Sequence, residues 1–374
     1  MVKTLNDRKI YFNSSDKPTI GVEVELYTIS KKTFDLCQGA PILLEKLSND
    51  THIKEELLES IIEVNTSICN NVDEVFYDLN KKINLVKSIA EKHDMFLISM
   101  ATHPFASWKN QSITDNNRYK EFLDRMQWPL RRLLITGLHV HVGVESGEKA
   151  ISIMNGLASY IPHMIALSAN SPFYDGDFTG LASTRTKIFE SLPNAGIPPY
   201  LKNYSEFQNF MMILKNAKTI ESIREVWWDI RPHPGFGTVE VRVFDAVPSL
   251  KEMVDLAALI QCMVVRLSES YKNPDQQSIL NSWIIKENKW RALRYGLDAS
   301  ILDKKGQLQS LKEEILETID DLLPISKRLN CEKNLLNLAK MIKENNTPYL
   351  RQIRDYKKYK SFKKIIEKSI RELN

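Results

Sequence analysis

Four short stretches of the chain alternate between apolar and polar side chains. They are Gly21-Val22-Glu23-Val24-Glu25-Leu26, Leu138-His139-Val140-His141-Val142, Thr238-Val239-Glu240-Val241-Arg242-Val243 and, more weakly, Ile62-Glu63-Val64-Asn65. Successive side chains of a strand point to opposite faces, so each stretch predicts a strand with one dry and one polar face. Glu23 then shares a face with Glu25, His139 with His141, Glu240 with Arg242, and Glu63 with Asn65. Elsewhere the period lengthens. Residues 72–93 set Val75, Leu79, Ile83 and Val86 at helical spacing, with Asn71 or Asp73 as the cap. A strand is expected from about Met95 to Thr102, and helices over 148–170 and 250–271. Residues 171–204 are rich in Pro, Gly, Asn and Ser and read as a long loop, a kind of segment that usually carries function inside a compact domain. A strand–turn–strand unit surrounds 226–245. From about residue 276 onward the pattern is helical, with breaks near Pro324 and Pro348. The last stretch, YKKYKSFKKIIEKSIREL, reads as an amphipathic surface helix with solvated lysines.

Composition narrows the class. The 374 residues are 43% hydrophobic and 26% charged, which excludes a mainly disordered chain. A formal net charge of +4 is too small to point to nucleic acid without a concentrated basic face. MVKTLNDRKI has no apolar core of a signal peptide, and no stretch is apolar enough to predict a membrane span. These features lead us to expect a cytoplasmic protein. Cys37, Cys69, Cys262 and Cys331 are scattered and form no CxxC pair, so reduced, mostly buried thiols are expected rather than a disulfide framework or a zinc knuckle.

The choice of polar residues makes the alternation informative. Solvated strand faces commonly carry Thr, Lys, Ser and Gln; these carry carboxylates, imidazoles and an arginine. Two carboxylates side by side on one face repel each other unless a cation lies between them. An oxygen-rich set with an imidazole suits Mg²⁺ or Mn²⁺, whereas zinc calls for mainly Cys or His ligands. If the four stretches pair in one antiparallel sheet, their polar faces make a floor for two or three divalent ions. Other motifs drop out: no HExxH is present, no GxGxxG follows a strand, and Gly143 to Lys149 lacks the spacing of a phosphate loop, with Ala150 where Ser or Thr is needed. Arg185 and Lys187, in the long loop, and Arg231, before the His233-Pro234-Gly235-Phe236-Gly237 turn, are candidates to clamp phosphate or carboxylate. Glu59 lies one helical turn before Glu63 or flanks its strand. His103, in Thr102-His103-Pro104-Phe105, reads as a structural residue at a strand exit.

GVEVEL, ESIIEVNTSIC, THPF, GLHVHVGV, ASTRTKIFESLPNAGIP, WWDIRPHPGFGTVEVRVFD and RYGLDA follow one another over roughly residues 18–300. In that order they resemble the successive signatures of the type 2 glutamate–cysteine ligases, or carboxylate–amine ligases. The resemblance implies an α+β, glutamine synthetase-like catalytic fold: a curved antiparallel sheet backed by helices, with a helical C-terminal part, in a single domain over residues 1–374. It implies ATP, Mg²⁺ or Mn²⁺, and a γ-glutamyl phosphate that passes to cysteine or another amine, with a place in glutathione biosynthesis if the amine is cysteine. It implies Glu23, Glu25, Glu63, His139 and Glu240 as metal ligands, with His139 preferred over His141. Arg242 would meet the transferring phosphate, Arg185 and Arg231 would hold phosphate or substrate carboxylate, and Lys187 would join Arg231 and Arg242 on the nucleotide. The expected partners are small molecules and, as one option, further copies of the chain, with neither nucleic acid nor membrane. A metal-dependent hydrolase on the same sheet is the competing enzyme class and would need no nucleotide. A non-catalytic binding protein fits less well with so complete a charged set.

Overall fold

The computed structural model describes residues 10–47, 50–272 and 279–373. The N-terminal residues 1–9, on which the signal-peptide expectation rests, and residues 276–278 at the start of the C-terminal helical pattern lie outside it. All four alternating stretches are strands of one sheet. In chain order the sheet contains β1 (Ile20–Ser30), β2 (Ile53–Glu55), β3 (Ile61–Asn65), β4 (Met95–Ile98), β5 (Gly137–Gly143), β6 (Ile230–His233) and β7 (Thr238–Asp245). Every pairing is antiparallel, in the spatial order β6-β7-β5-β1-β3-β2. The long β1 pairs with β5 along Ile20–Val24 and with β4 along Tyr27–Ser30, while β3 runs along its other side.

Register turns the alternation into two surfaces. Val22, Val24, Leu26, Ile62, Val64, Leu138, Val140, Val142, Val239 and Val241 join one buried core. Burial of each such side chain contributes about 1.5–3 kcal/mol, so a slip by one residue, which would turn this row outward, is heavily disfavoured. The helices that cover this face follow from their own sequences. In α1 (Val72–Lys92), Val75, Leu79, Ile83 and Val86 are buried, and the side chain of Asn71 accepts the Glu74 amide at 3.0 Å. The later helix Leu250–Glu269 is buried on nearly every side and starts at Ser249, which caps Glu252.

Several expected boundaries move. The helix expected over 148–170 is two, Gly147–Ala158 and Ile161–Ser168, bent 65° apart. Ser159 and Tyr160 make the corner, and Pro162, which cannot donate to the preceding turn, opens the second helix. No single helix among the described residues is long and apolar enough to cross a membrane. The strand expected over 95–102 ends at Ile98. The expected loop 171–204 contains a helix, Thr184–Phe189, and short strand pairs. Pro324 does not break its helix: Leu311–Arg328 runs through it, because Leu311, Ile315, Ile319, Leu322 and Ile325 bury one stripe whose gain exceeds the roughly 3 kcal/mol cost of an internal proline. Pro348 instead begins a helix, Pro348–Tyr359, after a break at 344–347. The lysine-rich end is not one helix but two. Lys360, at φ +49°, separates Pro348–Tyr359 from Phe362–Glu372, and the latter buries Ile365 and Ile366 with Ile98 and Phe173. The cysteines remain thiols, yet Cys262 and Cys331, distant in sequence, place their sulfurs 3.5 Å apart in the helical layer.

Candidate active site

The face opposite the core is the floor of a cleft. Cross-strand register sets Glu23 beside Asn65 and His139, Glu25 beside Glu63, and Glu240 beside His141 and Arg231. Six of the expected residues, Glu23, Glu25, Glu63, His139, Arg231 and Arg242, line one cavity of about 370 Å³, and His141 and Glu240 lie within the same cluster of side chains. Three sets of three ligand atoms come within 4.8 Å of one another: Glu23, Glu63 and His139; Glu23, His141 and Glu240; and Glu25, Glu56 and Glu63. The two imidazoles therefore belong to separate carboxylate sets, and Glu23 is common to both.

The hydrogen bonds show what the floor holds and what it leaves open. His139 Nδ1 is 3.1 Å from Glu23, and His141 Nδ1 is 3.0 Å from the Thr238 hydroxyl. This leaves His139 Nε2 buried without a hydrogen-bond partner and His141 Nε2 facing only Glu23 at 3.5 Å and Glu240 at 3.8 Å, and Asn65 Oδ1 is unpaired while its amide donates to Glu63 at 2.7 Å. Buried polar atoms are normally paired. Unpaired lone pairs next to crowded carboxylates are what a set of hard divalent cations would satisfy, so the residues present fit Mg²⁺ or Mn²⁺.

Electrostatics agrees with this geometry. Burial raises the Glu63 carboxyl, and the neighbouring Glu23 charge adds to it, bringing it to about 7 against the pull of Asn65 and Lys54. Burial and the charges of Glu63 and Glu25 push Glu56 well above the usual carboxylate range. Glu23 and Glu240 are buried too, but His139 and His141 hold Glu23, and Arg231 and Arg242 hold Glu240, well below that range. Burial and the Arg242 charge lower His139, whereas for His141 the charges of Glu240 and Glu23 outweigh burial and raise it. One end of the floor is thus compensated by arginines. The other, at Glu25, Glu56 and Glu63, is an acidic group short of positive charge.

The arginines are placed unequally. Arg242 pairs with Glu240 on the floor. The register of β7 against β5 shifts between Val241 and Phe244, which frees the Arg242 carbonyl from the ladder. Arg231 gives Nε and Nη2 to Glu240 at 2.6 and 3.3 Å and Nη1 to the Ile223 and Val226 carbonyls, so it is braced on both sides while facing the cleft. Arg185 is not on the cleft surface. It is buried in the helix Thr184–Phe189, donates to the freed Arg242 carbonyl at 3.1 Å, and lies over Gly137, where any side chain would collide with it. Lys187, from the same helix, is not brought to the floor: its ammonium pairs with Glu190 at 3.2 Å and borders a separate hollow. His103 is structural, with Nε2 3.0 Å from the Phe34 carbonyl and Nδ1 accepting the Ala106 amide. Glu59 belongs to none of the three carboxylate sets; Glu56, three residues earlier, is the one that joins Glu63 and Glu25.

Other cleft residues have no alternating signal. Glu56 follows β2, whose pairing with β3 brings it to Glu63; the doublet Glu55-Glu56 before a strand carrying Glu63 was the available hint. At the arginine-compensated end, His233 and Phe236 stack at 4.1 Å and 14°, both edge-on to His141. The rest of the wall is apolar, built from Leu57, Tyr119, Phe122, Leu130, Leu133, Phe189, Leu192 and Trp227; it runs from Tyr119, at the Glu55 carbonyl, to Trp227, which follows the Val226 carbonyl held by Arg231.

The profile described as "Glutamate-cysteine ligase family 2 (GCS2)" matches residues 19–373. A Frankia alni protein named, provisionally, glutamate–cysteine ligase 2-1 is 44% identical over 355 residues, covering 92% of each chain. A Thermobifida fusca protein, provisionally named glutamate–cysteine ligase 2, is 42% identical, covering 89% of this chain and 85% of its own. Among solved structures, a glutamate–cysteine ligase from Francisella tularensis in complex with AMP superposes with a TM-score of 0.72 at 15% identity, covering 96% of this chain and 89% of that one. A bifunctional glutathione synthetase from Pasteurella multocida gives 0.68 at 12% identity, with 95% of this chain matched to 51% of that one. These two structures share the fold.

Proposed function

The chain belongs to glutamate–cysteine ligase family 2, whose members are ATP-dependent ligases, and on that premise we propose that it joins the γ-carboxylate of glutamate to the amine of a second amino acid, cysteine being the amine for which its relatives are named. The observation that carries this reading is the floor itself: three adjoining carboxylate sets around two imidazoles, with Arg231 and Arg242 at one end.

The reaction brings an anionic carboxylate to an anionic phosphate, so positive charge has to be concentrated where they meet. Divalent ions held by Glu23, Glu25, Glu56, Glu63, His139, His141 and Glu240 would supply most of that charge. Arg242, fixed by Glu240 and by the Arg185 contact to its carbonyl, presents further donors to the oxygens of the transferring phosphoryl group. A glutamate γ-oxygen attacks the γ-phosphorus as the bond to ADP breaks. The amine, entering as the free base, then attacks the acyl carbon; the C–N bond forms, the C–O bond to phosphate breaks, and the amine proton leaves on the phosphate. The arginine end suits the polyphosphate, and the stacked His233 and Phe236 beside it offer a flat aromatic surface for a base. The acceptor side is then the end at Glu25, Glu56 and Glu63.

Release of ADP and phosphate from Mg²⁺-ATP with glutamate and a panel of amines tests the proposal. We expect ADP release that requires glutamate and rises with an amine, with a product mass equal to the γ-glutamyl amide. Glutamate-dependent ADP release indifferent to every amine, or metal-dependent hydrolysis without nucleotide, would refute it.

A further inference from the structure

The cleft has a wall more apolar than a cysteine side chain requires. Tyr119 and Phe122, from the helix Asn117–Met126, Leu130, Leu133, Leu192 and Trp227 form a small hydrophobic cluster of their own, and each also lines the cavity. The cluster is firm: Phe122 meets Trp227 edge-on at 5.6 Å and 88°, and the Tyr119 hydroxyl bonds the Glu55 carbonyl at 3.4 Å, next to Glu56. Through Tyr119 it adjoins the Glu25, Glu56 and Glu63 set, which has Lys54 3.8 Å from Glu63. At its mouth stand Arg118 and Arg224, both exposed. Arg118 lies over the Tyr119 and Phe122 rings, and neither guanidinium meets a carboxylate among the described residues.

These features define a ligand. The wall calls for a bulky apolar body and the mouth for a carboxylate bound by arginine, which leaves the amine of the same molecule turned toward the floor. Accepting the ligase reading above, we propose that the amine substrate is an α-amino acid with a leucine- or phenylalanine-sized apolar side chain. That side chain packs against Phe122, Leu192 and Trp227, its carboxylate meets Arg118 or Arg224, and the product is the corresponding γ-glutamyl amino acid, formed by the same transfer of the acyl group from phosphate to nitrogen.

The test is a comparison of kcat/KM for cysteine, alanine, leucine and phenylalanine with the full chain at saturating glutamate and Mg²⁺-ATP. Leucine or phenylalanine is expected to exceed alanine and cysteine by about tenfold or more, the size of effect that a few buried methylenes give. Phe122→Ala should remove most of that preference while leaving the KM for ATP in place, and Leu192→Gln does the same job should Phe122→Ala fail to fold. Arg118→Gln and Arg224→Gln together should raise the KM for the amino acid but not for its carboxamide. A preference for cysteine or alanine, with the ligase reaction intact, would overturn this inference and leave the ligase reading standing. So would a Phe122→Ala variant whose loss falls on the KM for ATP, since the pocket would then hold the nucleotide. No ADP release with any amine would overturn both.

Discussion

At the scale of the residue, the floor sorts by charge compensation. Glu240 is buried between Arg231 and Arg242, and the three form one unit. Glu240→Gln or Arg242→Ala should each lower turnover by about a hundredfold or more, the typical loss when one preorganised charge contact is removed, with an unchanged far-ultraviolet dichroism spectrum. Near-normal ADP release from either variant would contradict the assigned roles. At the acidic end, folding raises Glu63 to about 7 and raises Glu56 as well. Between the ordinary carboxyl value of about 4.3 and 7, these two groups therefore bind more protons in the folded metal-free chain than in the unfolded one, and their contribution to stability falls as pH rises through that window. The melting temperature of the metal-free protein, taken relative to that of Glu63→Gln, should drop from about pH 5 to about pH 8, because His103, His163 and His233 act equally in both, and saturating Mg²⁺ should flatten the difference; a difference that does not change with pH would argue against the crowding. The alternating pattern exposed Glu23, Glu25, Glu63, His139, His141, Glu240 and Arg242 because a strand maps every second residue to one face. It was silent on Glu56, which lies just past a strand, and on Tyr119, Phe122 and Trp227, which come from a helix and a short strand far apart in the chain.

Elements decide what the individual cations do. Arg185 and Lys187 were expected on one long loop, clamping phosphate or carboxylate. Folded as the helix Thr184–Phe189, they diverge: Arg185 points into the protein to brace the bulged strand at Arg242, and Lys187 points to solvent with 55% of its side chain exposed. The loop composition hid this helix, because six residues are too few for a period to register. A different lysine binds this region together. Lys289, from the helix Ser282–Tyr295, is buried and lies 2.6 Å from both Glu190 and Asp229, linking the helix end at Glu190 to the start of β6. Lys289→Met leaves the buried Asp229 without its lysine and Glu190 with Lys187 alone, and should cost about 3–5 kcal/mol in urea unfolding, whereas Lys187→Ala should cost less than about 1 kcal/mol. Equal effects would mean that the buried bridge is not holding the element. Periodicity found the long helices Val72–Lys92 and Leu250–Glu269, where many turns repeat one pattern. It overestimated Pro324 because a single backbone breaker competes with five buried aliphatic side chains on one stripe.

For the whole molecule, the C-terminal helices are part of the sheet's packing. Ile365 and Ile366 share a cluster with Ile98, Met100 and Phe173, and Ser369 donates to the Ser99 carbonyl. Removal of residues 361–374 should expose that cluster and lower the melting temperature by several degrees, readable with a dye for apolar surface; an unchanged melt would show the segment to be dispensable. The lysines read as solvated lie on the outer side of helices whose inner side was equally legible, but the distant partners of that inner side, Ile98, Met100 and Phe173, were not. The same strands that close this core carry the acidic floor on their other side, and this has a consequence for how such a protein changes over generations. Like charges gathered at Glu25, Glu56 and Glu63 oppose folding until a cation arrives. Glu56→Gln should therefore melt at a higher temperature than the parent without metal while losing turnover. Selection for robustness alone would drift toward neutral side chains there, leaving the core row untouched and the fold in place. Descendants freed from the need to catalyse are expected to survive as sturdier proteins with a silent cleft, which makes the acidic floor, rather than the fold, the mark of a working enzyme.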